Sequence, residues 1–217
     1  IKSVNWEHLF LGNGSDEPID LLFRAFCEPH QDNVIINPPT YGMYQVSADI
    51  NGVESKKVLL TSDFQLDSTR LLEAVDYHTK LIFICSPNNP TGNDVAVEQV
   101  EQVLKNFKGL VVMDEAYIDF ADRSSWINSL EKYPNLIVLQ TFSKAWGLAS
   151  LRLGMAFASK EIIQILNKIK PPYNLSGLTQ QTVLEALANH EEKDRMVAQI
   201  KRNRESLRQG LEQLSGV

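Results

Sequence analysis

The sequence predicts an α/β fold, a mostly parallel seven-stranded sheet with helices on both faces. Three observations predict it. Short, apolar, β-prone runs alternate with amphipathic stretches along the chain, the pattern of strand–crossover–strand units in a sheet covered on both sides. Polar loops follow several of the apolar runs, and the carboxyl ends of strands are where open α/β sheets bind ligands. The length, 217 residues, is enough to bury a sizeable core in one domain or a domain plus an appendage.

In chain order, a first strand over 8–11 runs into Leu11-Gly12-Asn13-Gly14-Ser15-Asp16-Glu17-Pro18. The glycines permit a tight turn. Ser15 is placed to cap a helix over 16–27, and Asp16, Glu17 and Pro18 suit its first turn. The N–H groups at such a helix start attract phosphate. Strands over 33–37 and 55–60 enclose a helix over 41–50, and a helix over 68–75 precedes a strand over 81–85. The loop Ser86-Pro87-Asn88-Asn89-Pro90-Thr91-Gly92 follows, leading to a helix over 95–107. The strand over 110–113 runs directly into a carboxylate, Asp114. A strand over 136–140 leads into Thr141-Phe142-Ser143-Lys144-Ala145-Trp146-Gly147-Leu148, and a strand over 153–158 follows Arg152. Helices over 160–169 and 178–188 flank Lys170-Pro171-Pro172-Tyr173-Asn174, a Pro-rich junction. From about Glu191 the charge density rises, and Met196, Ile200, Leu207, Leu211 and Leu214 recur at helical spacing, the mark of an apolar stripe that faces a core.

Composition excludes several classes of function. The net charge is −6 with lysines and arginines scattered, which argues against a nucleic-acid footprint. No apolar stretch reaches membrane-spanning length, and no signal peptide opens the sequence. Cys27 and Cys85 sit in apolar runs and read as buried free thiols, suited to a reducing cytoplasm. The four histidines have no metal-ligand spacing, so no metal is expected.

The chemistry concentrates around Lys144. It lies between two hydroxyls, Thr141 and Ser143, and the guanidinium of Arg152. Such neighbours suit a lysine that forms an imine with an aldehyde carrying a phosphate: hydroxyls donate to phosphate oxygens and an arginine clamps them bidentately. Taken singly, each segment has an ordinary reading: a solvated lysine, a Pro/Asn/Gly turn, a capped helix, a surface carboxylate. Together, with 25 residues from Asn89 to Asp114, 30 from Asp114 to Lys144 and 8 from Lys144 to Arg152, they resemble pyridoxal-phosphate-dependent aminotransferases of the aspartate aminotransferase type. Joint context of this kind is what confirms a motif.

The resemblance implies roles for named residues. Lys144 would hold the pyridoxal phosphate as a Schiff base and move protons. Asp114 would pair with the pyridine nitrogen, and Asn89 and Tyr117 would donate to the phenolic oxygen. Tyr41 would stack on the ring. Ser143, Arg152, Thr141 and the backbone at Ser15 and Asp16 would hold the phosphate. Lys144, Asp114 and Tyr117 form the implied catalytic set. It also adds one antiparallel strand to the sheet.

Gly12-Asn13-Gly14-Ser15-Asp16-Glu17, Pro38-Pro39-Thr40-Tyr41-Gly42-Met43-Tyr44, Asp114-Glu115-Ala116-Tyr117 with Phe120, and Lys170-Pro171-Pro172-Tyr173-Asn174 narrow the resemblance to the histidinol-phosphate aminotransferase family. This implies exchange of an amino group between L-histidinol phosphate and 2-oxoglutarate in histidine biosynthesis, in a cytoplasmic homodimer. Threonine-phosphate decarboxylase and some aromatic aminotransferases share much of the pattern and stay open as alternatives, as does a catalytically incomplete cofactor-binding fragment. The family comparison further implies that 1–190 is the cofactor-binding large domain, lacking an N-terminal arm, and that 191–217 begins a small domain whose remainder is missing.

Overall fold

The computed structural model describes residues 4–214. The apolar runs become seven strands of one sheet: β1 (Leu9–Asn13), β2 (Asn33–Ile36), β3 (Glu54–Lys57), β4 (Thr79–Cys85), β5 (Leu110–Asp114), β6 (Leu136–Thr141) and β7 (Leu153–Phe157), in the order β1-β7-β6-β5-β4-β2-β3. β7 runs antiparallel to both of its neighbours, and every other pair is parallel. The helices are α1 (Asp16–Phe26), α2 (Met43–Ile50), α3 (Ser68–Glu73), α4 (Val97–Asn106), α5 (Lys160–Ile169), α6 (Gly177–Ala188) and α7 (His190–Glu212).

Strand side chains alternate between two cores, as the two-residue strand period requires. Leu81, Phe83 and Cys85 of β4, Val112 of β5, and Ile137 and Leu139 of β6 pack with α1, α2 and α5. Ile82 and Ile84, Val111 and Met113, and Leu136 and Val138 pack on the opposite face with α3 and α4. This double burial explains why the central strands read as unbroken apolar runs. The strand expected over 55–60 shrinks to Glu54–Lys57, because β3 is a sheet edge, where a short, charged strand blocks pairing with another chain.

The expected helix beyond Glu191 forms as α7, but only Val197 of it is buried. Met196, Ile200, Leu207, Leu211 and Leu214 are all exposed; the last three positions of the sequence-predicted segment, 215–217, lie outside the described residues. The helix is tethered at its N-terminal half. Lys193 pairs with Asp119 at 3.1 Å and lies 5.3 Å from the Trp146 ring centroid, and Lys201 pairs with Asp122. A solvated helix without packing has little stability of its own. Amide exchange in the isolated 217-residue chain is therefore expected to be much faster over 202–211 than over β5. Equal protection of the two segments would show that the stripe is covered.

Candidate active site

The parallel register brings the carboxyl ends of β1, β4, β5 and β6 to one edge of the sheet, where β7 begins. All ten sequence-predicted site residues line one cavity there, joined by Cys85 and Ala116. Ser15 and Asp16 come from the start of α1, Tyr41 from the turn before α2 and Asn89 from the loop after β4. Asp114 ends β5, and Ala116 and Tyr117 follow it. Thr141 ends β6, and Ser143, Lys144 and Arg152 occupy the connection to β7.

The close approach of β1 to β7 depends on glycine. Gly154 pairs with Gly12 and with Thr141. A Cβ at Gly154 would strike the backbone of Gly14 and Ser15. Gly14 has φ +71, and a Cβ there would strike the Arg152 guanidinium. Gly154→Ala is expected to cost about 1–3 kcal/mol, the usual cost of overpacking, and to displace the start of α1. Chemical denaturation of the variant measures it, and an unchanged midpoint would contradict the tight crossing.

Asp114 is 2 % exposed. Its Oδ2 accepts the Tyr44 hydroxyl at 2.6 Å, and its Oδ1 accepts the Ala116 N–H at 3.0 Å. Burial pushes its pKa above the ordinary carboxylate value, and these two hydrogen bonds oppose the rise. Cys85, its neighbour across β4–β5, is buried and free, its thiol pushed up to about 12 by burial and then by the Asp114 charge.

Lys144 is exposed to the cavity mouth, with its Nζ 5.3 Å from the Tyr117 ring centroid. Thr141 Oγ1 donates to Leu153 O at 3.2 Å and lies 3.0 Å from Ser143 Oγ, and Ser143 N–H donates to Thr141 Oγ1 at 3.1 Å. Arg152, at φ +51, directs its Nη2 toward Asp16 Oδ2 at 3.3 Å. Asp16 Oδ1 also accepts the Tyr41 hydroxyl at 3.1 Å, and burial followed by the Asp16 charge raises the Tyr41 pKa.

Sequence reasoning placed Ser15 correctly at the start of α1 and misjudged its side chain, which makes no capping hydrogen bond. Glu17 instead reaches back out of the helix, its Oε2 accepting the Asn13 N–H at 2.6 Å. The Ser15 hydroxyl is left to line the cavity. Asn174 of the Pro-rich junction buttresses this corner by donating to Leu11 O and to Glu17 Oε2, both at 2.9 Å.

Two supporting features had no separate signal in the sequence. Tyr44 falls in the expected helix over 41–50 and in the Pro38–Tyr44 family motif, with no role of its own implied there. Its position three residues after Tyr41 was the available clue, because that spacing puts both rings on one helical face. The second feature is Glu115, fully buried, which accepts from Ser125 Oγ, the Trp126 N–H and Gln140 Nε2 and pairs with Arg123 at 2.8 Å. Arg123 also donates to Ser86 O at 2.7 Å and to Asp94 at 2.9 Å. This network ties the end of β5 to the loop that carries Asn89.

The residues fit a phosphorylated pyridoxal. The Arg152–Asp16 pair is long and more than a third exposed on both sides, so it is weak, and the guanidinium can exchange it for a phosphate dianion. Ser15, Asp16, Thr141 and Ser143 line the same cavity, and N–H groups at a helix start attract phosphate. A buried carboxylate lies at the inner end and a primary amine near the mouth.

A sequence profile of the family described as aminotransferase class I and II matches residues 2–217. Histidinol-phosphate aminotransferase of Cytophaga hutchinsonii is 59% identical over 214 residues, covering 99% of this chain and 62% of its own length. That of Bacteroides thetaiotaomicron is 57% identical over 215 residues, covering 99% and 62%. The chain thus spans about three fifths of the length of these curated relatives. Among solved structures, histidinol-phosphate aminotransferase from Clostridium acetobutylicum superposes with a TM-score of 0.86 over 96% of this chain and 62% of its own, at 24% identity, a likeness of fold. The Sinorhizobium meliloti enzyme, solved in complex with pyridoxal-5'-phosphate, gives 0.85 at 27% identity over 93% and 56%.

Proposed function

The chain belongs to the class I and II aminotransferase family, and we propose that it forms the cofactor-binding part of a transaminase acting on L-histidinol phosphate and 2-oxoglutarate. The observation that carries this reading is the convergence of Asn89, Asp114, Tyr117, Lys144 and Arg152 on one cavity. The names of relatives at 55–59% identity support the substrate.

Pyridoxal phosphate, when bound, supplies an electron sink for the charge left on the substrate Cα and a carrier for the amino group between half-reactions. The chain's own groups do the rest. The Lys144 amine would hold the cofactor covalently and would be the base that moves the proton at the substrate Cα. Asp114, as a carboxylate, accepts the ring N–H and favours the protonated ring. Tyr117 and Asn89 donate to the phenolic oxygen and favour its anion. Tyr41, which lines the cavity, would stack on the ring. Arg152, Ser143, Thr141 and the backbone at Ser15 and Asp16 hold the phosphate, which fixes the ring for proton transfer.

Residues up to about 190 would form the large domain, and α7, with its exposed stripe, would lead into a second domain. A cytoplasmic homodimer is the proposed working unit, and sedimentation of the intact enzyme at micromolar concentration as a monomer would contradict it. The function is tested by the visible absorbance of the cofactor-loaded enzyme. L-histidinol phosphate is expected to bleach the band, as is L-glutamate from the other half-reaction, and amines unrelated to either are not. Release of carbon dioxide from L-threonine phosphate, which carries a carboxylate on its Cα, would point instead to a decarboxylase on the same scaffold.

A further inference from the structure

We propose that Tyr44 is a positioning residue that holds the Asp114 carboxylate in one rotation and in its ionised form; the proposal rests on the reading of Asp114 as the partner of the cofactor's ring nitrogen. Tyr44 is completely buried. Its ring is stacked on Phe83, with centroids 4.8 Å apart and planes at 19°, and meets Tyr41 edge-on at 5.6 Å and 83°. The hydroxyl therefore has little freedom of its own. It reaches Asp114 Oδ2 at 2.6 Å, within the range of a hydrogen bond to a charged acceptor.

The second donor, Ala116 N–H, takes the other oxygen, Oδ1, at 3.0 Å. Two fixed donors on two different oxygens define the carboxylate plane. The Ala116 N–H belongs to Asp114's own loop and moves with it. Tyr44, 70 positions away in sequence, is the anchor that ties the carboxylate to a separate element.

The surroundings otherwise oppose a charge on Asp114. Burial is the largest effect, and Asp16 of α1 and Glu115 beside it on the chain add to it. Cys85 of β4, against the Tyr44 hydroxyl, is a neutral thiol. Lys144 lines the same cavity. A neutral Asp114 could not favour a protonated ring nitrogen, so a strong donor aimed at one oxygen serves the chemistry as well as the geometry. The proton stays on Tyr44, whose own pKa is raised well above the usual phenol value by burial and then by the Asp114 charge.

The test is Tyr44→Phe in the intact enzyme, which keeps the stacked ring and deletes the hydroxyl. In the cofactor-free enzyme labelled with carboxyl-13C aspartate, and with the Asp114 signal assigned by Asp114→Asn, the carboxyl titration is expected to move up by about one unit or more, the scale of one hydrogen bond to a charged group. Replacement of Tyr44 by 3-fluorotyrosine, a stronger donor, is expected to move it down. In the loaded enzyme, kcat is expected to fall roughly tenfold, and Tyr44→Phe is expected to add nothing further in an Asp114→Asn background. An unmoved Asp114 titration in both Tyr44 variants would overturn the proposal, as would additive losses in the double variant. A titration that moves while kcat and the cofactor spectrum do not would leave the Tyr44–Asp114 link intact and overturn Asp114 as the ring partner.

Discussion

Lys144→Ala is expected to lower transamination by the intact enzyme by at least about 10⁴-fold, since it removes both the covalent attachment and the proton-transfer amine. Among the described residues, Lys144 is the only lysine in the cavity lining, and the other cation there is Arg152, a guanidinium being ill-suited to act as a base. Folding should be unaffected, because the side chain is exposed. Small primary amines added at millimolar concentration should restore part of the rate, and Lys144→Arg should remain inactive without them. Turnover of Lys144→Ala within tenfold of the parent would contradict the assignment.

Asp114→Asn is expected to lower the rate by on the order of a hundredfold or more, the scale for loss of one preorganised electrostatic partner. Cofactor should be retained, because Arg152, Ser143 and Thr141 are untouched. The variant also has a signature in stability. Burial raises the folded-state pKa of Asp114 above its unfolded value, so the folded chain binds more protons between those two values. Stability of the cofactor-free protein therefore falls as pH rises through that window, and the contribution is absent in Asp114→Asn. Denaturation midpoints across mildly acidic to neutral pH, compared between parent and variant, report the difference. Parallel curves would show that Asp114 is not a strained acid.

Much of this site was legible in the sequence because it is built from strand ends. Each of Asp114 and Thr141 ends an apolar run whose period and burial specify its place, and parallel pairing then brings those ends together without further information. The Lys144–Arg152 segment was legible for another reason: its hydroxyls, amine and guanidinium are close in sequence and suit one proposed purpose, holding a phosphorylated aldehyde. What stayed hidden depends on pairs far apart in the chain. The Tyr44–Asp114 hydrogen bond spans 70 positions and follows from how α2 lies on the sheet, which no local pattern encodes. The Arg123 contacts with Ser86, Asp94 and Glu115 arise likewise from a loop folding back over two strand ends. Ser15 shows the opposite failure. Its residue type and position announce a side-chain cap, yet it makes none, and Pro18 at the third helical position has no N–H to offer it. The stripe on α7 was read as core-facing from its period, and among the described residues only Val197 of that helix is buried, since periodicity reports a face and not the partner that covers it.

The central claim is that the cavity at the carboxyl edge of this sheet holds pyridoxal phosphate on Lys144. Borohydride reduction of the cofactor-loaded intact enzyme, followed by proteolysis and mass mapping, tests it most directly. The label is expected on the peptide containing Phe142-Ser143-Lys144-Ala145-Trp146, at Lys144 and in a ratio of one per chain. A reduced label on any other lysine, or none at all on a loaded enzyme, would contradict it.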